Sequence, residues 1–141
     1  MTLSVNIVGE NILEGKRREN MINYDVPLDK RGQNSNIKGH ILDEEAMRKH
    51  KFTQREYRGK KWWYRGKNLG RNISMNITIE EDKIQIDFLD DAFCQHYDYQ
   101  EMLRKNPRNE FCLEIHKQAQ EIMLELSHAG IISGYQANHY I

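Results

Sequence analysis

The sequence predicts an α+β protein: an antiparallel β-meander of three to four strands packed against one long C-terminal α-helix, with a loop-rich, basic N-terminal part. Three observations lead there. From Asn106 to Gly130, Phe111, Cys112, Ile115, Ala119, Ile122, Met123 and Leu126 recur at helical spacing and form one apolar stripe. Two runs in the second half alternate apolar and polar residues strictly, as half-buried strands do. The 141 residues are 38% hydrophobic and 30% charged, which fits one domain, 1–141, with a modest core and a wet surface.

Taken in order, Leu3–Val8 alternates and reads as a short strand, and Pro27 holds Tyr24–Leu28 extended. Asp29–Gly39 contains Gly32, Gln33, Asn34, Ser35, Asn36 and Gly39, has little to bury, and reads as a mobile loop. Asp43 is placed to cap a short helix ending near Lys49. Residues 1–56 thus form the irregular part, and 57–141 the meander and long helix.

Tyr57-Arg58-Gly59-Lys60 returns seven residues later as Tyr64-Arg65-Gly66-Lys67. The repeat predicts two similar glycine turns flanking a Lys61–Tyr64 strand with an aromatic on each face. Ile73, Met75, Ile77 and Ile79, then Ile84, Ile86 and Phe88, make a hairpin around a Glu81-Asp82 turn. A short helix over Asp98–Lys105 follows. Asn106 can cap the long helix with Pro107 at its first position, and Gly130 can stop it. The tail Ile131–Tyr135 is able to add a short strand or to lie across the sheet edge.

The formal net charge is zero, yet the halves differ: residues 1–72 hold sixteen Lys and Arg against nine Asp and Glu, and residues 73–141 hold five against twelve. Such a chain either neutralises itself on folding or offers opposite faces to different partners. No apolar run reaches the roughly 18 residues of a membrane span, and Met1–Glu10 does not resemble a secretion signal, so cytoplasm is the expected location.

Enzyme signatures are missing. Gly59-Lys60 and Gly66-Lys67 lack phosphate-loop spacing, and neither Gly-x-Ser-x-Gly nor Gly-x-Gly-x-x-Gly occurs. Either cysteine beside a histidine would still want an orienting third group, and none is evident. A non-enzymatic role is the expectation.

Three constellations remain. Cys94-x-His96 and Cys112-x-x-x-His116 supply two sulfurs and two nitrogens, the set that zinc prefers in a closed site. Cys112 also suits the apolar stripe as a small hydrophobe, so core packing is the competing reading. Between Arg48 and Arg71 ten Lys and Arg face a single Glu56, interleaved with Phe52, Tyr57, Trp62, Trp63 and Tyr64. Arg58, Lys60, Lys61, Trp62, Arg65, Lys67 and Arg71 are the nucleic-acid candidates, because cations neutralise phosphates and aromatics stack on unpaired bases. The third is an acidic run, Glu80, Glu81, Asp82, Asp87, Asp90 and Asp91 with Asp98 and Glu101 beyond: it can imitate a phosphate ladder and fill a basic groove on a partner protein, bind a divalent cation though without calcium-loop spacing, or be solvated turns.

Phe93-Cys94-Gln95-x-Tyr97-Asp98-Tyr99-Gln100, Asn106-Pro107 and Ala129-Gly130-Ile131-Ile132-Ser133-Gly134 carry a resemblance. From Trp63 to Ile141 the chain resembles a group of small uncharacterised phage and prophage proteins of Gram-positive bacteria. His96 stands where proline is expected in that group, which argues against a zinc site common to it. Proteins of this size and origin are often accessory factors against host defences, type II anti-CRISPR proteins among them. The resemblance therefore implies an inhibitor of a host defence protein, an RNA-guided nuclease first, with either the acidic hairpin docking in its basic channel or the protein holding a lobe in a DNA-excluding position.

Overall fold

The computed structural model describes residues 32–137 and 139–141. In chain order these form β1 (Lys38–Gly39), α1 (Glu44–Lys49), β2 (Thr53–Tyr57), β3 (Lys60–Gly70), β4 (Ile73–Glu80), β5 (Lys83–Asp90), β6 (Gln95–His96), α2 (Tyr99–Lys105), α3 (Glu110–Ala129) and β7 (Ile132–Ser133). The expected Leu3–Val8 strand and the Tyr24–Leu28 segment lie outside the described residues. The α+β class is the one the sequence predicts. The antiparallel sheet has five strands, in the order β2-β3-β4-β5-β6.

Alternation sets the sheet's two faces. Ile73, Met75, Ile77 and Ile79 are all buried, and their register partners Phe88, Ile86 and Ile84 continue the same face on β5. On β3 the partners of Ile79 and Ile77 are Trp63 and Arg65, so those two also point toward the core. Helix α3 covers this face with Cys112, Ile115, His116, Ala119, Gln120, Ile122, Met123 and Leu126. Burying an aliphatic side chain contributes about 1.5–3 kcal/mol, so this interface is the main stabilising layer.

Two-residue turns join the long strands. Arg58-Gly59 (φ 52° and 81°) connects β2 to β3, and Arg71-Asn72 (φ 50° and 65°) connects β3 to β4. Both have positive φ at both positions, the geometry that matches the strand twist. The second expected glycine turn does not form. Gly66 lies inside β3, which runs unbroken from Lys60 to Gly70. The Tyr64 ring lies over Gly66, in the space a Cβ there would need. An aromatic laid across a strand glycine keeps it in the sheet.

The long helix starts at Glu110, capped by Asn109, whose side chain accepts from Cys112 N at 3.1 Å. Asn106 instead closes α2, donating its backbone N–H to Met102 O at 2.9 Å. Pro107 pushes the residue before it out of helical space, and Asn106 is extended accordingly (φ −141°, ψ 91°). Gly130 ends α3 in the left-handed region (φ 82°), and Ile131 N donates to Leu126 O at 2.9 Å.

Residues 32–39 are not a free loop. Strand β1 pairs with β7, so the tail strand forms against this segment and not against the meander. Asn34 N donates to Tyr140 O at 2.7 Å and Tyr140 N to Gly32 O at 2.9 Å. Tyr140 is buried against Tyr99 and His116, which anchors the clasp in the core. Among the described residues no helix is long and apolar enough to cross a membrane.

Candidate functional site

The four proposed zinc ligands are not brought together. Cys94 is exposed in the turn before β6, at φ 54°, and His96 is exposed on β6. Cys112 is buried, with Sγ 3.5 Å from the Tyr97 hydroxyl. Burial and that contact push the Tyr97 phenol up to about 12. His116 is buried too, its Nδ1 2.9 Å from the Tyr99 hydroxyl. Among the described residues no group of three or more His, Cys, Asp or Glu is arranged to hold a metal ion. These residues do not fit a four-ligand zinc centre: Cys112 and His116 are buried in the core, whereas Cys94 and His96 are exposed.

The acidic candidates separate to the two ends of one hairpin. Glu80, Glu81 and Asp82 sit at the β4–β5 turn, where Asp82 O accepts from Gly39 N at 3.2 Å. Asp90 and Asp91 sit at the other end of an eight-residue strand, roughly 25 Å away at about 3.4 Å per residue. There Asp90 Oδ1 accepts from Ala92 N at 3.0 Å, and Asp91 Oδ1 accepts from Ser74 Oγ at 3.1 Å. Those two carboxylates hold a turn. Asp87 is alone between the ends, half-buried and accepting from Gln85 Nε2 at 3.1 Å.

The basic candidates divide between the two faces of the sheet. Arg65 belongs to the helix side, 7% exposed, with Nη1 and Nη2 3.1 and 3.3 Å from Glu125 on α3. His50 Nδ1 lies 2.8 Å from the same carboxylate. Burial alone would raise the Glu125 carboxyl, but the bonds from His50 and Arg65 outweigh it and hold it below the usual range. Lys67 joins Arg65, Gln118, Glu121, Ile122 and Glu125 along a shallow groove of about 240 Å³. Within the groove Arg65 and Glu125 are paired with each other. Arg71 stacks on Phe111 at 4.8 Å, and Lys61 is exposed on the helix-side parity of β3.

The opposite face is where the remaining candidates meet. By register it carries Thr53, Arg55 and Tyr57 of β2, Lys60, Trp62, Tyr64, Gly66 and Asn68 of β3, then Ser74, Asn76 and Thr78 of β4 and Gln85, Asp87 and Leu89 of β5. All of these except Ser74 are half-buried or exposed. The Arg55 guanidinium lies over the Tyr64 ring, 4.2 Å from its centroid, and Arg58 lies over Tyr57 at 5.1 Å. A hydrogen-bonded row crosses the strands from there. Tyr64 OH donates to Asn76 Oδ1, Asn76 Nδ2 donates to Ser74 Oγ at 3.0 Å, and Ser74 donates to Asp91.

This face has aromatics and cations along β2 and β3 and a carboxylate on β5. Arg55 and Tyr64 lie in the basic and aromatic run from Arg48 to Arg71 but outside its named candidates, and Asn76 lies outside the run altogether. Parity within the expected Lys61–Tyr64 strand already puts Tyr64 beside Trp62 on one face; reading Gly66 as a turn hid the strand's continuation to Gly70. Compared with known proteins, the chain matches no family model, no curated protein and no solved structure.

Proposed function

We propose that the protein is a non-enzymatic binding module that takes single-stranded nucleic acid on the face of its meander that no described element covers. The observation that carries this reading is the stacked Arg55–Tyr64 pair beside half-buried Trp62, edged by Arg58 and Lys60. Aromatic rings and guanidinium planes stack on unpaired bases, and the cations at the β2 edge neutralise the backbone. Asp87, two strands further in, repels phosphate and favours base over backbone there. The test is a fluorescence-anisotropy titration with single-stranded DNA and RNA at several salt concentrations. Affinity should fall as salt rises, and Arg55→Ala should weaken it. Absent binding, or binding indifferent to salt, removes the reading.

A second reading follows from the exposed Glu81-Asp82 tip with Glu80 behind it, braced by β1 through Asp82 O. Carboxylates on a rigid turn fit a basic channel, as an inhibitor of an RNA-guided nuclease of host defence would need. Stoichiometric protein would then protect target DNA from cleavage. Full cleavage at excess protein rejects that partner.

A further inference from the structure

The hydrogen-bonded row on the open face has a direction, and that direction leaves Asn76 with a defined recognition edge. An ionised carboxylate only accepts, so the Ser74 hydroxyl must donate to Asp91. Ser74 Oγ therefore accepts from Asn76, which fixes the amide nitrogen on that side. The Asn76 oxygen must then face Tyr64, whose hydroxyl donates to it. The amide cannot flip without breaking two bonds. One Nδ2 hydrogen and one Oδ1 lone pair remain uncommitted by this row, a donor and an acceptor on the same amide.

The neighbours leave that edge accessible. Asn76 pairs across the strands with Gly66 on one side and with Asp87 on the other. Gly66 has no side chain, and the Tyr64 ring fills the space above it while lying low over the strand. A base stacked against the Arg55–Tyr64 pair would bring the next base of the strand over Asn76, with the phosphates kept toward Arg55, Arg58 and Lys60.

We infer that Asn76 is the specificity-determining residue of this face and that it selects adenine. The inference rests on the nucleic-acid reading above. An asparagine amide matches adenine's N7 acceptor and N6 amino donor, a pairing available on the exposed edge of an unpaired base. The second N6 hydrogen suits the Asp87 carboxylate, whereas the O4 carbonyl of thymine or uracil would face it with like polarity.

The experiment compares full-length protein binding to oligo-dA, oligo-dT and an oligo-dA in which N7 is replaced by carbon. Oligo-dA should bind about tenfold or more tighter than oligo-dT, and the 7-deaza oligomer should fall to the oligo-dT level. Asn76→Ala should bind all three alike, with salt dependence retained. The deaza arm uses the unaltered protein, so it decides even if Asn76→Ala folds poorly. Equal wild-type binding of the three, or a preference that survives 7-deaza substitution, overturns adenine selection while leaving the open-face reading intact. No binding to any of them overturns both.

Discussion

Arg65 on β3 and Glu125 on α3, sixty residues apart, share two hydrogen bonds of 3.1 and 3.3 Å across the sheet–helix interface. The guanidinium is 7% exposed and the carboxylate side chain 38%, so the cation is the more deeply desolvated partner. Removing the carboxylate leaves a buried charge without its counterion, which costs more than losing an exposed pair. Glu125→Ala should therefore destabilise the fold by about 2–3 kcal/mol in urea denaturation. Glu44→Ala, which breaks the exposed Arg48–Glu44 pair, should cost about 0.5 kcal/mol or less.

The same carboxylate sets an acid dependence. Its folded value is lowered, so its stabilisation is present above the unfolded carboxylate value and is lost as pH falls through the folded one. Wild type and Glu125→Gln should differ most in stability at neutral pH and converge as the solution is acidified below the normal carboxylate range. Melting temperatures measured from neutral to acid pH give the comparison.

Gly66→Ala puts a methyl group where the Tyr64 ring lies. The ring must swing out, which breaks its bond to Asn76 and its stack with Arg55. We expect a loss of about 1–2 kcal/mol from the displaced contacts and weaker oligonucleotide binding. Gly59→Ala makes a useful contrast. Its φ of 81° strains the turn, but nothing crowds it, so the fold weakens while the Tyr64 stack stays in place.

The cysteines should report opposite environments. Cys94 is exposed and Cys112 buried, so a thiol reagent should label one cysteine per chain under native conditions and the second only on unfolding. Mass spectrometry of peptides would locate the first label on Cys94. Fast native labelling of Cys112 would contradict the packing beneath α3.

Truncating Tyr140 tests the clasp. Its ring is buried against Tyr99 and His116, with Arg104 4.7 Å from its centroid. Tyr140→Ala should cost about 3–5 kcal/mol, comparable with an aromatic truncation in any core. Differential scanning calorimetry should show the drop.

Much of the fold was legible because its signals are local. The β4–β5 hairpin follows from period-two alternation, and α1 and α2 start at the aspartates their caps require. Asn106 misled by one feature: two asparagines three residues apart can each cap, and the proline between them decides which does. Strand β2 was invisible for a physical reason. All five of its residues are exposed, so an edge strand of this kind has no apolar alternation to read. The site was partly legible in residue types but not in geometry. Arg65 looked like one more surface cation until its register with Ile77 turned it toward α3.

The pairing of residues 32–40 with 131–141 has a kinetic consequence. Its hydrogen bonds span up to 108 residues of chain, whereas strands β2 to β5 are joined in turn by two-residue connections. Contacts so distant in sequence incur their loop-closure entropy before they return any stabilisation, so hairpins and helix should assemble first and the clasp close over them. The amides of Asn34, His40 and Tyr140 would then exchange with deuterium together and ahead of β4, marking the seam where the native state first comes apart.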